Sequence, residues 1–554
     1  MPTIDPVELG IIWDRFVSIA DEMVSSLTRT SFSTMVRVSA DLSCMLFDSR
    51  ARLVSQGRTS VPSFTGTGPA TLRRMLEIIP PDSLRPGDVI ATNDAWIGTG
   101  HVFDINVVRP VFRNGTIVGY TLSVTHLADI GGIGYSADAR DVFEEGFTIP
   151  VCKLIEEGEP NALIIEIIRQ NVRSESVVLG DIFSNVTCTE VGGRLLLELM
   201  EDYGLDSIDP LAAAIHAQTR DAMLEKLARV PAGTYTNAIQ VEGYDEPLHF
   251  AVSAVISADG AVFDFSGTSP AVGRGINVPL CYTSAFTYYA VKCLTVPEIP
   301  NNSGALDAID INAPEGCVLN AVKPSPTGGR HILGHFVAPL IFGALADVFP
   351  NDVQADSGML SQLNFHGRLG DGRFISSVYF SSGGYGAFKD RDGQSALPGP
   401  SNMILAPAEI WEAENAISVL KKALLVDSGG PGRSRGGLGQ EVLLRNDTGS
   451  PLNMAAFASR TDFPARGYAS APDGSLRTVE VDGRLVHPKK RIEIPPGSIV
   501  RIVEAGGAGY GDPVEREVEK VVEDVRNGLV SRAGALKDYG VDVEAQRRIR
   551  QTAI

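Results

Sequence analysis

The chain has 554 residues, of which 44% are hydrophobic and 21% are charged. This balance is typical of a globular protein with several cores, and it excludes an intrinsically disordered chain. The 48 basic and 67 acidic residues give a formal net charge of −19, which disfavours nucleic acid and anionic membranes as partners. No segment is apolar enough for a membrane helix, and the first residues, MPTIDPVELG, lack the pattern of a secretory signal. The sequence therefore predicts a cytoplasmic protein.

The N-terminal segment predicts a helix followed by two strands. Asp5 is placed to cap the helix, and Pro6 suits its first position. Apolar residues then recur at helical spacing and predict one buried stripe, which consists of Ile12, Phe16, Ile19, Met23 and Leu27. Two short strand-like runs follow at 44–47 and 53–56, with a polar turn between them.

The remainder of the chain alternates helical and strand-like regions. Two helical stretches are predicted over 160–229, the second started by Asp209-Pro210. From Gly233 the pattern changes to alternating strands. Residues 429–439, GGPGRSRGGLG, form a glycine-rich loop in which we expect tight turns, and the last forty or so residues look like charged helices.

These elements predict a mixed α/β protein of several domains with mixed sheets. We expect an N-terminal region with helices and the candidate metal site at 1–230. A mixed α/β region with glycine-rich loops is expected at 231–510, and C-terminal helices at 511–554.

The sequence lacks several common signatures of nucleotide and nucleophile chemistry. It contains no G-x-x-x-x-G-K-[ST] phosphate loop, no G-x-G-x-x-G between a strand and a helix, and no G-x-S-x-G nucleophile elbow. Neither a self-contained nucleotide site of a familiar kind nor an α/β-hydrolase triad is therefore predicted.

One segment, GTGHVFDINVVRPVFRNGTIVGYTLSVTHLADIGG, carries the strongest signal of chemistry. It holds His101, Asp104 and His126, and the chain has only eight histidines. The Asn114-Gly115 pair is a strong hairpin-turn signal between two apolar runs. A three-residue loop or one bulge at this turn sets Asp104 opposite His126, with β-carbons about 5 Å apart.

The residue types of this segment suit a metal ion. His101 must lie on the loop that enters the strand, because residues three apart on a strand face opposite sides. A single inward histidine such as His126 is more often a hydrogen-bonded core residue, but here Asp104 and a second histidine converge on it. Two imidazoles and a carboxylate suit zinc, manganese or iron and leave positions for water. Pro110, in the first strand, requires an edge position or a bulge.

Other polar residues are weaker candidates. Asp41, in SADLSCMLFD, would by itself be a turn or capping residue. Asp94 and Asp129 are candidates to orient the imidazoles. His331 and His335 have the i, i+4 spacing of metal ligands, but no glutamate follows His331 as a zincin motif requires, so we assign both to a substrate pocket or the core.

At these residues the sequence resembles the hydantoinase B/oxoprolinase family. The matching segments follow one another in order over most of the chain, and the ordered set is specific: SADLSCMLFDSRARLVSQ, PGDVIATNDAWIGTGHVFDINVVRPVF, THLADIGG, DVFEEGFTIP, FDFSGTSP, NVPLCYTSAFTYYAVKCL, APEGCVLN and GPGRSRGGLG. The resemblance implies a hydantoinase-B-like α/β fold with a buried divalent metal, namely zinc, manganese or iron. It implies that His101, Asp104 and His126 hold the metal, and that Asp41 lies close to it as ligand or base. We therefore predict Asp41 and His126 as catalytic residues.

The resemblance further implies a B-type subunit of an ATP-dependent cyclic amide hydrolase of the hydantoinase, oxoprolinase or lactamase type. The implied partner is an A-type subunit with an actin-like ATPase fold, in an assembly with two copies of each chain. ATP would phosphorylate the amide oxygen of a small cyclic amide on that partner, and this chain would complete metal-assisted ring opening. Two alternatives stay open: a subunit of an ATP-dependent carboxylase of the acetone or acetophenone type, and a non-catalytic scaffold subunit with a structural metal.

Overall fold

The computed structural model describes residues 5–370 and 372–548. It contains helices together with antiparallel sheets and one parallel strand pair, so the predicted mixed α/β class is confirmed. In the part of the chain that is described, no helix is both long and apolar enough to cross a membrane.

The chain forms two compact units. The first comprises the described residues up to 237 together with 251–337, and the second comprises 238–250 together with the described residues from 338 onward. The division of the chain into regions 1–230, 231–510 and 511–554 stays a prediction. The compact units group the residues differently, because 251–337 pack with the N-terminal unit.

Helices and strands alternate along the chain. The helices are α1 (Pro6–Thr30), α2 (Thr34–Arg37), α3 (Ser63–Ile78), α4 (Val142–Glu145), α5 (Ala162–Asn171), α6 (Glu175–Asp202), α7 (Asp209–Leu227), α8 (Leu280–Thr295), α9 (Ser303–Leu306), α10 (Arg330–Gly334), α11 (Val337–Leu345), α12 (Ala408–Asn415), α13 (Val518–Arg526) and α14 (Arg532–Tyr539). The strands are β1 (Leu42–Asp48), β2 (Leu53–Gln56), β3 (Val89–Thr92), β4 (Asp104–Arg113), β5 (Thr116–His126), β6 (Cys152–Glu156), β7 (Glu159–Pro160), β8 (Gly233–Val241), β9 (Leu248–Ser257), β10 (Gly260–Asp264), β11 (Ile309–Asn312), β12 (Leu360–Arg368), β13 (Phe374–Ser382), β14 (Ile417–Leu424), β15 (Gln440–Asn446), β16 (Leu452–Phe457), β17 (Thr478–Val481), β18 (Arg484–Leu485), β19 (Arg491–Ile494), β20 (Ile499–Val503), β21 (Val541–Asp542) and β22 (Arg547–Arg548).

Helix α1 forms as its sequence pattern predicts. Asp5 Oδ1 accepts hydrogen bonds from Val7 N at 2.8 Å and Glu8 N at 3.2 Å, which satisfies amides that the helix leaves without partners. The apolar stripe packs against α6 and β1, and all five of its predicted members are buried, namely Ile12, Phe16, Ile19, Met23 and Leu27. The stripe therefore anchors α1 to the sheet that carries β1.

The first unit is organised around a seven-stranded sheet of order β2-β1-β5-β4-β3-β6-β7. Strands β4 and β5 form its central hairpin, and Asn114 and Gly115 both have positive φ, as a two-residue hairpin turn requires. The register shifts once, at 111–112, and Asp104 then lies opposite His126. Pro110 is tolerated because β3 pairs with β4 only as far as Val108.

The helical region after the sheet differs from the prediction in its number of helices. Three helices, α5, α6 and α7, occupy the stretch where two were expected. The chain breaks between α5 and α6 at Arg173, whose backbone and side chain bind Asp129 and so leave the helical path. Helix α7 is held to β2 through buried His216, whose Nε2 donates to Leu53 O at 2.7 Å.

The second unit contains two packed sheets with a common core. Their orders are β13-β12-β16-β19 and β14-β15-β20-β17-β18. Phe365 and Met454 of the first sheet and Val442 and Ile502 of the second belong to one buried cluster. In the C-terminal region, helices α13 and α14 are followed by the small β21–β22 pair, which the prediction of helices alone did not include. Residues 549–554 lie outside the described residues.

The glycine-rich loop 429–439 packs backbone against backbone with 505–511 rather than forming tight turns. Gly507 N donates to Gly437 O at 2.9 Å. A Cβ added at Gly436 would lie 1.9 Å from Gly507 O, so no larger residue fits between these backbones. Between 429 and 439 no residue has a positive φ. The glycines are therefore required for close packing, and the expectation of tight turns is wrong.

We expect His216→Gln to weaken the acid sensitivity of the fold. Burial lowers the pKa of His216 to about 4, against 6.5 in the unfolded chain. Unfolding therefore takes up a proton, and the contribution of His216 to stability is complete above pH 6.5 and is lost as pH falls toward 4. A glutamine keeps a donor for Leu53 O and does not titrate. Urea unfolding at constant ionic strength should show a shallower fall between pH 6.5 and 4 in the variant, and equal slopes would refute this role.

Candidate metal centre

The sheet of the first unit brings four polar residues together. The β4–β5 register places Asp104 opposite His126, and His101 lies on the loop just before β4. Strand β1 pairs with β5 on the other side, with Leu42 opposite Thr125. Asp41, the residue before β1, therefore lies beside His126.

Three of these side chains form a compact cluster. Asp104 Oδ1 lies 2.8 Å from His101 Nε2 and 3.2 Å from His126 Nδ1. The three ligand atoms all lie within 4.8 Å of one another, and all three side chains are buried. Asp41 is farther away, with its Oδ2 3.9 Å from His126 Nδ1, and its side chain is 15% exposed against 1% for Asp104.

The donor atoms of this cluster fit a bound cation. His101 Nδ1 lies 3.0 Å from Gly328 O. Since a carbonyl can only accept, Nδ1 carries the proton, and Nε2 of the neutral ring presents a lone pair. That lone pair faces the carboxylate oxygen of Asp104 at 2.8 Å, and Nε2 has no hydrogen-bond partner among the described residues. Two acceptors at this distance repel each other unless a cation lies between them, so the residues present fit the metal that the sequence predicted.

The second oxygen of Asp104 is held by groups that the sequence did not point to. Arg330 Nη2 donates to Asp104 Oδ2 at 2.7 Å, and Thr99 Oγ1 donates to the same atom at 2.5 Å. Arg330 Nε also donates to Thr99 O at 2.6 Å, and the guanidinium lies 4.4 Å from the ring centroid of Tyr282. These contacts orient Asp104 so that its Oδ1 faces the two imidazoles.

The electrostatics separate the two carboxylates. Burial opposes ionisation of Asp104, but the neighbouring Arg330 guanidinium holds the pKa of its carboxyl well below the usual range. Burial raises the pKa of Asp41 to about 6, against the opposing effect of His126. Burial also lowers the pKa of His101 to about 4, so its ring is neutral at pH 7. The centre therefore presents a charged Asp104 and a neutral imidazole as ligands.

Aromatic side chains enclose the cluster. The ring of Phe103 stacks on His126 with a centroid distance of 5.6 Å, and Tyr135 approaches His126 edge-on at 4.9 Å. Tyr135 Oη lies 3.2 Å from His331 Nδ1, and His331 is followed by His335, with 5.8 Å between the ring centroids. The predicted assignment of these two histidines to the core or a pocket agrees with their burial, since both lie in the interior.

The two residues expected to orient the imidazoles have other roles. Asp94 Oδ1 accepts from Trp96 N at 2.9 Å, and Asp129 Oδ1 accepts from Gly131 N at 3.0 Å. Both therefore stabilise loops, because each carboxylate is already engaged by a backbone amide near to it in sequence. The orienting group of His101 is instead a backbone carbonyl far along the chain, for which no sequence signal existed.

We expect removal of the Arg330 charge to destabilise the metal-free protein strongly. Arg330→Met leaves the buried Asp104 carboxylate without its cation, and breaking such a pair costs about 3 to 5 kcal/mol. The double variant Asp104→Asn, Arg330→Met should lose less free energy of unfolding than the two single variants lose together, as measured by urea unfolding. Arg15→Met, which breaks an exposed pair with Asp202, is the control and should change stability by less than about 1 kcal/mol. Additive costs would show that Arg330 does not compensate Asp104.

The chain is similar to known proteins over nearly its whole length. The chain is 29% identical over 576 residues to the B-type subunit of a putative D-/L-hydantoinase from Pseudomonas sp. (strain NS671), and the alignment covers 99% of this chain and 96% of the relative. The fold matches the crystal structure of ATP-dependent caprolactamase from Pseudomonas jessenii with a TM-score of 0.89 and 26% identity, over 99% of this chain and 98% of that one.

A more distant match extends the comparison of folds. The nucleotide-free structure of acetone carboxylase matches with a TM-score of 0.87 over 97% of this chain and 80% of that one, and at 18% identity it shows a shared fold alone. The model of the Hydantoinase B/oxoprolinase family matches residues 5–513. The ordered segments quoted above thus predicted the relationship correctly, and the chain belongs to the hydantoinase B/oxoprolinase family.

Proposed function

We propose that this chain is the B-type subunit of an ATP-dependent cyclic amide hydrolase, which opens the ring of a hydantoin, 5-oxoproline or lactam at its carbon–nitrogen bond. The observation that carries the proposal is the buried cluster of His101, Asp104 and His126, whose facing acceptor atoms need a cation. This cluster lies in a chain that aligns over 99% of its length with the B-type subunit of a putative hydantoinase.

In this proposal His101, Asp104 and His126 hold one divalent ion of zinc, manganese or iron. Such an ion, when bound, supplies a Lewis acid that polarises water or a substrate oxygen. Arg330 keeps the second oxygen of Asp104 engaged, so that Oδ1 stays directed at the imidazoles. Asp41 has the more accessible carboxylate and lies beside His126, so it either completes the ligand set or accepts a proton from the attacking water.

We place ATP on a partner subunit. An unactivated amide is a poor electrophile, and phosphorylation of its oxygen creates a good leaving group. The sequence of this chain shows no phosphate loop, the solved caprolactamase is described as ATP-dependent, and a relative is named as a subunit. We therefore propose an A-type partner with an actin-like ATPase fold, two copies of each chain, and a passage between the sites that excludes water. Location in the cytoplasm stays a prediction.

We expect one divalent metal per chain in the purified protein. His101→Ala and His126→Ala should each remove most of it in elemental analysis, because each takes away one of three ligands. His249→Ala is the control, since His249 is an exposed histidine on β9. In the same assay Asp41→Asn lowers metal content if Asp41 is a ligand, and leaves it unchanged if Asp41 is the base. Full metal retention in both His101→Ala and His126→Ala would rule out the site.

We expect ring opening only when this chain, the partner and ATP are combined. The assay compares the chain alone with the co-purified pair on hydantoins, 5-oxoproline, lactams and ketones, with and without ATP. Bicarbonate dependence with a ketone would support the carboxylase alternative, which the acetone carboxylase fold makes worth testing. Full activity of the pair with His126→Ala would support the scaffold alternative. Ring opening by this chain alone at the rate of the complete system would contradict the proposal.

A further inference from the structure

Glu145, at the end of α4, is a wholly buried carboxyl group that the chemistry above does not use. Its Oε1 accepts hydrogen bonds from two successive backbone amides, Thr327 N at 2.7 Å and Gly328 N at 2.5 Å. Its Oε2 is buried, and in the described part of the chain it has no hydrogen-bond partner. One carboxyl group thus fixes a loop that lies more than 180 residues away in sequence.

Two glycines pack closely against this carboxyl group. A Cβ added at Gly328 would lie 3.1 Å from Glu145 Oε1, and one added at Gly275 would lie 3.3 Å from the same atom. The loop is also tied to Gly275, whose carbonyl accepts from Gly329 N at 2.6 Å. The loop at 327–329 is therefore held in one position by Glu145 and by the backbone beside it.

This loop makes the contact that orients His101. Gly328 donates its amide to Glu145, and its carbonyl accepts the proton on His101 Nδ1 at 3.0 Å. A single residue therefore transmits the position of the Glu145 carboxyl to the imidazole. Partners of a metal-bound imidazole's second nitrogen fix its tautomer and ring orientation, and their loss costs about 10- to 100-fold in metal affinity.

We propose that Glu145 is a positioning residue of the metal centre, which acts through the Gly328 peptide to hold His101 in the Nδ1-protonated tautomer with Nε2 directed at the metal. This inference rests on the metal site of the proposed function. Burial raises the pKa of Glu145 to about 8, against the two hydrogen bonds from the loop, so the neutral acid is its main form at pH 7. Glutamine is uncharged like the protonated acid and keeps an acceptor oxygen for the two amides. Glu145→Gln is therefore the conservative variant.

The second unit offers a control with the same hydrogen-bond pattern. Glu242 is also buried, and its Oε1 accepts from two successive amides, Asp462 N at 2.9 Å and Phe463 N at 3.0 Å. Its Oε2 is likewise buried and lacks a hydrogen-bond partner among the residues described. Glu242→Ala therefore reproduces the loss of a buried loop-holding carboxyl in a place where no proposed ligand is involved.

The first test uses the metal-free full chain labelled with ¹⁵N-histidine. The His101 signals are assigned by their loss in His101→Ala, and they report which ring nitrogen carries the proton. We expect the Nδ1–H tautomer in the wild type, in Glu145→Gln and in Glu242→Ala, and a mixture of tautomers in Glu145→Ala. If Glu145→Ala does not fold, Glu145→Asp takes its place, because it is one methylene shorter and cannot reach both amides. An unchanged His101 tautomer in the Ala or Asp variant would overturn the proposal.

The second test measures divalent zinc affinity by competition with a chelator. Glu145→Ala should weaken zinc binding about 10- to 100-fold, and Glu242→Ala and Glu145→Gln should stay within about threefold of the wild type. In the His101→Ala background, Glu145→Ala should cause no further loss, since its effect passes through His101. An equal further loss in that background would show a general structural role and would contradict the proposal. If the wild type binds no divalent metal at all, the proposed function fails, whereas the tautomer test still decides the role of Glu145.

Discussion

The buried charge of Asp104 is the constraint on which the centre depends. A carboxylate in the interior is costly unless cations and donors compensate it, and here one oxygen is held by Arg330 and Thr99. The other oxygen faces two imidazole nitrogens, one of which presents a lone pair because Gly328 O takes the proton on the opposite side of the ring. Asp104 Oδ2 thus has hydrogen-bond donors, whereas Oδ1 faces a ring nitrogen that cannot donate to it. This unbalanced oxygen is the physical reason to place a cation there.

The local part of this centre was predictable from the sequence. The Asn114–Gly115 turn and the bulge at 111–112 fix the hairpin register, which sets Asp104 opposite His126. The same register, together with the i, i+3 spacing, leaves His101 on the entering loop. Local turn chemistry and the two-residue period of a strand determine these positions, and both can be read directly from the residues.

The remaining part depends on contacts between distant segments, which no local pattern contains. Gly328, in a loop, and Arg330, at the start of α10, lie more than 200 residues away from His101 and Asp104 in sequence. Glu145 acts on that loop from α4. The glycines of 429–439 were interpreted as turn residues for the same reason, since their need for small size comes from the backbone packed against them. In physical terms, tertiary packing decides what these residues do, and a single sequence shows only that they are present.

Membership of the hydantoinase B/oxoprolinase family fixes the fold but leaves the chemistry open, because acetone carboxylase has the same fold. The metal is common to the hydrolase proposal and its alternatives, so its position is the central claim. Anomalous X-ray diffraction from crystals soaked in zinc, manganese or iron tests that claim most directly. We expect one strong peak within coordination distance of His101 Nε2, Asp104 Oδ1 and His126 Nδ1, at about 2.0–2.2 Å for zinc with nitrogen or oxygen ligands. A metal bound elsewhere, or no peak at these three atoms, would contradict it.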